Sequence, residues 1–213
     1  MKSLTLIFAA LASLPAAAKE GAVECGNLIY AGTRTSKCFS DEFLTTVQQK
    51  TSISTERRFK AVKLADEELF KIPFVIMTGE SDFSLTAKER ENLKRYLENG
   101  GFLLASASCS NKPWCAAFER EIKSIFGNDA MKDIPVDHEI FKTIFTIKDL
   151  KLSHSGSESP LRGMTHNGKI VVVYSTEGLN DTSHTEGCCC CGGNEVINSM
   201  EINSNILAYA LLH

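Results

Sequence analysis

Two stretches decide the architecture: PFVIMTG at Pro73–Gly79, and TAKERENLKRYLENGGFLLASA at Thr86–Ala107. The first runs apolar from Phe74 to Met77 and is closed by Gly79, which reads as a central strand buried on both faces. In the second, Thr86-Ala87-Lys88-Glu89 is a capping box, the Thr hydroxyl and Glu carboxylate satisfying backbone donors of a first helical turn. Leu93, Tyr96 and Leu97 supply an apolar stripe, and Asn99-Gly100-Gly101 ends the helix where a left-handed residue is cheap. Phe102–Ala107 follows at once as another apolar strand. Strand, helix and strand at this spacing predict a parallel βαβ unit.

Working outward, Asn27–Ala31 reads as a first strand ending at Gly32. Phe43, Leu44, Val47 and Ile53 sit near helical spacing after Asp41. Phe59–Leu64 alternates apolar and basic residues and predicts a half-buried strand. Pro113 opens a helix whose apolar positions run from Trp114 to Phe126, stopped by Gly127. Residues 128–168 read as loop-rich. Asn167-Gly168 then marks a turn before the β-branched strand Ile170–Tyr174, and a terminal helix is expected over Asn203–Leu212. The expectation is a single α/β domain over residues 19–213, a flavodoxin-like three-layer sandwich with a mainly parallel sheet.

The chain has 213 residues, with 43% hydrophobic and 23% charged, a soluble globular composition. Its 23 Lys and Arg are outnumbered by 26 Asp and Glu, for a net charge of −3, so no nucleic-acid partner is expected. Residues 1–18 have a basic start, a short apolar centre and a small-residue end at Pro15-Ala16-Ala17-Ala18 before Lys19, the pattern of a signal peptide. The mature chain is therefore expected in the periplasm or secreted, with no transmembrane segment.

That compartment favours disulfides, and the chain has eight cysteines: Cys25, Cys38, Cys109, Cys115, Cys188, Cys189, Cys190 and Cys191. All eight are disulfide candidates. Cys25 with Cys38, and Cys109 with Cys115, are spaced for local bridges, although spacing alone does not define connectivity. Adjacent Cα atoms are about 3.8 Å apart and disulfides usually span about 4.4–6.8 Å, so the four consecutive cysteines are expected to divide their bonding. Cys188 and Cys191 also have the spacing of thiolate sites for Cu or Zn.

In parallel α/β sheets ligands bind at the carboxyl ends of the strands. Three loops follow such ends: Gly79–Leu85 with Glu80 and Asp82, Ser106–Lys112 with Ser108 and Cys109, and Ser175–Asn194 with His184 and Glu186. Glu80, Asp82 and Ser108 are the candidate ligand-binding residues.

The segments Pro73–Thr86, Glu89–Ala105 and Asp137-His138-Glu139-Ile140-Phe141 resemble an uncharacterised bacterial domain family placed near the class I glutamine amidotransferase-like superfamily. The resemblance covers most of residues 24–212. It implies a flavodoxin-like sheet and no established reaction. Relatives often carry acidic residues after the position of Ala105, where this chain has Ser106-Ala107-Ser108. By analogy with that superfamily, Cys109 at a strand-to-helix turn would be a nucleophile, His184 its base and Glu186 the group that orients the imidazole. The expectation carried forward is a non-catalytic protein binding a ligand or partner of the cell envelope. The alternatives are a thiol hydrolase or amidotransferase using Cys109, His184 and Glu186, and a Cu, Zn or redox protein using Cys188 and Cys191.

Overall fold

Successive residues of a strand face opposite sides, so a strand covered on both faces has no polar alternation to show. Val75, Met77, Leu103 and Ala105 join one apolar layer, with Leu93, Trp114 and Phe118. Their neighbours Phe74, Ile76, Phe102 and Leu104 join the other, with Phe43, Val47, Ile202 and Ile206. The computed structural model describes residues 21–154, 160–188 and 193–213. The signal-like residues 1–18 and Cys189, Cys190 and Cys191 lie outside the described residues.

The strands are β1 (Cys25–Ile29), β2 (Lys60–Lys63), β3 (Phe74–Gly79), β4 (Phe102–Ala107), β5 (Lys132–Asp133), β6 (Arg162–His166) and β7 (Lys169–Ser175). They form one sheet in the order β2-β1-β3-β4-β7-β6-β5. From β2 to β7 the pairing is parallel, and β6 and β5 extend the sheet antiparallel. The helices are α1 (Glu42–Lys50), α2 (Ala87–Glu98), α3 (Lys112–Phe126) and α4 (Ser199–Leu212). α2 and α3 bury their apolar residues in the first layer, and α1 and α4 in the second. This mostly parallel α/β sandwich is compatible with a flavodoxin-like fold.

Local chemistry sets the boundaries. In the capping box, Glu89 N donates to Thr86 Oγ1 (3.2 Å) and Thr86 N to Glu89 Oε2 (2.7 Å). At the start of α3, Asn111 Oδ1 accepts from Trp114 N (3.0 Å), with Pro113 in the first turn where no amide is needed. Thr51 turns extended after α1 and donates its hydroxyl to Val47 O (2.7 Å), so Ile53 falls beyond the helix.

Three further elements differ from the sequence expectation. β6 and β5 lie inside the stretch read as loop-rich, and β6 pairs with β7 across the Asn167-Gly168 turn. α4 starts at Ser199 rather than Asn203. Its first turns bury polar side chains, two of which bond across the interface: Asn203 Nδ2 donates to Leu179 O (2.8 Å), and Asn205 Oδ1 accepts from Ile144 N and Phe145 N (3.0 and 2.8 Å). The Asn205 contacts moor the long segment before β6 to α4, and the Asn203 contact moors the connection after β7.

At the carboxyl end of the sheet, the Tyr30 hydroxyl donates to Thr78 O (2.9 Å) and accepts from Trp114 Nε1 (2.8 Å), all within the core. Gly79 lies against this pair. A Cβ there would fall 2.3 Å from Tyr30 Oη and 2.9 Å from Trp114 Nε1, neither of which can move without breaking a buried hydrogen bond. Gly79→Ala should therefore cost about 1–3 kcal/mol, the usual scale of overpacking, read as a lower urea midpoint at unchanged slope.

Candidate functional site

In a doubly wound sheet the loops on either side of a reversal in strand order diverge and leave a crevice. Here the chain runs from β1 outward to β2 and then returns to the other side of β1 for β3. At the carboxyl ends of β1 and β3 lies a cleft of about 390 Å3, lined by Tyr30, Arg34, Thr35, Lys37, Glu80, Ser108, Asn180 and Thr182 among others. It shares Cys38, Glu80, Ser108 and Cys109 with a more open depression that reaches Lys112, Glu177 and Asn194.

The loop after β1 is pinned by Asn27, whose Oδ1 accepts from Thr35 Oγ1 (3.1 Å) while its Nδ2 donates to Ser36 O (3.0 Å). Ser36 Oγ then accepts from Thr78 N (3.1 Å) and Thr78 Oγ1 (2.8 Å), tying this loop to β3. The chain of polar groups continues to Ser108 Oγ, 3.4 Å from Thr78 Oγ1, and on to Asn180 Nδ2, which donates to Ser108 Oγ (3.3 Å). Three connecting segments and the end of β3 are thus joined across one edge of the sheet.

Between β4 and α3 the backbone is unusual. Cys109 and Ser110 both have left-handed angles, with φ of 49° and 53°, a conformation that costs about 1–2 kcal/mol for each non-glycine residue. The surroundings hold it in place. Asn111 Oδ1 accepts from Ser81 N (2.9 Å) as well as from Trp114 N. Ser110 Oγ accepts from Asn194 N (2.9 Å) and lies 2.5 Å from Glu177 Oε2. The returning chain passes so close that a Cβ on Gly193 would sit 1.9 Å from Cys109 O, so only glycine fits there.

Of the residues singled out from sequence, Glu80, Ser108 and Cys109 line the cleft. Asp82 instead pairs with Arg120 on the surface (3.0 Å). The anticipated pairing of His184 with Glu186 is replaced: His184 Nδ1 lies 2.8 Å from both carboxylate oxygens of buried Asp181. The cause is the 3-10 turn Thr182–His184, in which positions three apart share a face and positions two apart do not. His184 lines neither the cleft nor the depression, and Glu186 is an exposed residue of the same loop.

The disulfide expectations are also revised. Cys38 is bonded to Cys188, 150 positions away, with a Cα–Cα distance of 5.7 Å, and not to Cys25. Cys25 is a buried thiol in β1 whose pKa is pushed up to about 12 by desolvation. Cys115 is a thiol on α3, 3.8 Å from Thr176 O, so it forms no bridge with Cys109. Its pKa is raised, chiefly by burial. Cys188, bonded to Cys38, has no thiolate to offer a metal in this oxidised state, and Cys191 lies outside the described residues. Among the described residues no group of three or more His, Cys, Asp or Glu is placed to hold a metal ion.

Sequence reasoning passed over the loop after β1, which supplies Arg34, Thr35 and Lys37, and it passed over Asn180. The signal for the former was present, because that loop also follows a strand's carboxyl end. Nothing in the sequence marks Asn180 within its long connection.

Fold and cleft together define a mostly parallel α/β protein with a polar site at the carboxyl edge of its sheet. The family model described as Domain of unknown function (DUF4159) matches residues 28–211, and the chain belongs to that family. A comparison with curated proteins gives no match.

Two outcomes follow from this geometry. Asp181 raises the His184 pKa above 6.5, first by its hydrogen bond and then by its charge. The pair therefore stabilises the folded state most below that value and loses its contribution as pH rises through the folded pKa. NMR titration should place His184 above 6.5, and Asp181→Asn should bring it back down. Separately, replacing Cys38 and Cys188 together by Ser should lower the unfolding free energy by about 2–5 kcal/mol, measured in urea, because the bridge closes a long loop.

Proposed function

We propose that the mature chain is a periplasmic or secreted single α/β domain that binds a small polar ligand in the cleft between the ends of β1 and β3. Three features support the compartment: the signal-like residues 1–18, the Cys38–Cys188 disulfide, and the absence, among the described residues, of a helix long and apolar enough to cross a membrane. The strand order and the resemblance in Pro73–Ala105 support a place near the class I glutamine amidotransferase-like superfamily.

One observation carries the binding reading. The cleft opens where the strand order reverses, and its walls are polar side chains fixed by hydrogen bonds from separate loops. A second reading, hydrolysis or amide transfer by a thiol, is favoured by the left-handed turn at Cys109, the geometry of a strand-to-helix nucleophile elbow. It requires a thiolate at Cys109 and a base, and His184 is directed to Asp181 instead. Thiolate binding of Cu or Zn by Cys188 and Cys191 requires the Cys38–Cys188 bond to be reduced first.

Hydrogen–deuterium exchange of the oxidised mature chain with amino acids, sugars, sugar acids and nucleotides tests the binding reading. A ligand is expected to slow exchange in residues 30–38, 79–82 and 106–111. Thr33→Trp, at an exposed position on the cleft wall, should block that effect by filling the mouth. Failure of the whole panel to protect these loops, or protection that survives in Thr33→Trp, overturns the reading.

A further inference from the structure

The Cys38–Cys188 bond lies at the surface of the fold rather than in its core. Both cysteines are half-buried, and both stand on the wall of the open depression of about 920 Å3 beside the cleft. Neither belongs to the apolar layer on either face of the sheet, whereas the Cys25 thiol is part of one of them. Disulfide exchange requires a thiolate to reach a disulfide sulfur, so a bridge that faces an open depression is accessible to attack in a way that a core bridge is not. Exposed bridges are the labile and regulatory ones.

What the bond holds is equally local. Residues 183–187 are exposed apart from half-buried Thr185, and none of residues 182–188 joins an apolar layer. Their hydrogen bonds return to their own connection: Thr182 N donates to Glu195 Oε1 (2.8 Å), His184 N to Asp181 O (3.0 Å) and Cys188 N to Thr185 O (3.2 Å). The loop after β1 is fixed from the other side, through Asn27 and Thr78. The bridge and a backbone hydrogen bond from Ser40 N to Asn180 O (2.8 Å) tie the two segments directly. Lys37 and Cys38 on one side and Thr182 on the other line the cleft. Breaking the bridge therefore loosens the cleft while the packed layers stay in place, because segments with few buried apolar contacts open first.

We infer that the depression is a thiol–disulfide exchange site, at which a dithiol opens the Cys38–Cys188 bond and thereby loosens the cleft. The step balances without a further reactant. One thiolate of the dithiol attacks Sγ of Cys38 or Cys188, the S–S bond breaks, and the other cysteine leaves as a thiolate and takes up a proton. The second thiol of the reagent then attacks the mixed disulfide and releases the remaining cysteine. The dithiol ends as a disulfide, while Cys38 and Cys188 end as thiols carrying the two electrons and two protons that it gave up. The use of the cleft rests on the binding reading above, but its opening is measured without a ligand.

Dithiothreitol is the probe, applied to the oxidised mature chain, with alkylation and peptide mass spectrometry reading Cys38 and Cys188. The bond should be reduced at a rate nearly independent of urea below the unfolding transition, because attack from the depression exposes no buried surface. In the reduced chain, hydrogen exchange should rise at least about tenfold in residues 36–40 and 182–188, while β3 and β4 stay protected at labelling times that saturate those segments. Oxidised dithiothreitol should restore the original pattern. The double variant Cys38→Ser with Cys188→Ser should show the open pattern with no dithiothreitol present, which separates loss of the bridge from any other effect of the reagent. Reduction whose rate climbs with urea at the slope of global unfolding, exchange in the two segments that reduction leaves unchanged, or loss of protection in β3 and β4 together with them would each overturn the inference and leave a binding cleft in place. A ligand panel that protects nothing overturns the binding reading and leaves the exchange site standing.

Discussion

A parallel strand must return to the same end of the sheet before its successor can pair, so β1, β3, β4 and β7 all deliver their carboxyl ends to one edge. Both faces of these strands are already committed to apolar layers beneath helices. Polar side chains from the core strands therefore appear at the edge, where Thr78, Ser106 and Ser175 end their runs. The register fixes their proximity: Thr78 lies opposite Ser106, and Ser106 opposite Ser175. The site follows from the way the core is covered.

Buried polar groups at such an edge must find partners, and this need organises the loops. Ser36 reaches back from the loop after β1 to Thr78, and Ser106 Oγ accepts from Leu179 N (3.4 Å). Asn180 follows directly and meets Ser108. The loops are shaped by hydrogen bonds to strand ends rather than by apolar packing of their own. Asn180 Oδ1 breaks the pattern beside the cleft. Of the other unpartnered atoms, those of Asn92, Ser199 and Asn203 are on residues that line none of the clefts described above.

What the sequence revealed, and what it hid, divides along the same line. The Thr86–Glu89 box and the apolar runs at Phe74–Met77 and Phe102–Ala105 were readable because their causes are local: caps, periodicity and burial on two faces. β6 was hidden because Arg162-Gly163-Met164-Thr165-His166 has neither a clean alternation nor a β-branched run, and it is held by pairing with β7. Polar Ser199, Asn203 and Asn205 disguised the first turns of α4, since the partners of Asn203 and Asn205 at Leu179, Ile144 and Phe145 are distant in sequence. For the candidate site, strand ends located Glu80, Ser108 and Cys109. The pairing of His184 with Asp181 depended on a 3-10 turn that no spacing rule marks.

Cys38 and Cys188 were both disulfide candidates, but their pairing was illegible for the same reason, and its position bears on the proposed binding. Cys38 lies on the cleft wall beside Lys37, and Cys188 lies on the wall of the adjoining depression. The bridge joins the loop after β1 to the long connection after β7, the two segments that carry Arg34 and Asn180. Without it, those groups would be held relative to each other mainly by Ser40 N donating to Asn180 O (2.8 Å) and by the chain of hydroxyls through Thr78 and Ser108. Ordering two loops around a ligand costs conformational entropy at each association, and a covalent tie moves that cost to folding. On the proposed binding reading, the oxidised bridge would let a site made of connecting loops behave as a preformed one.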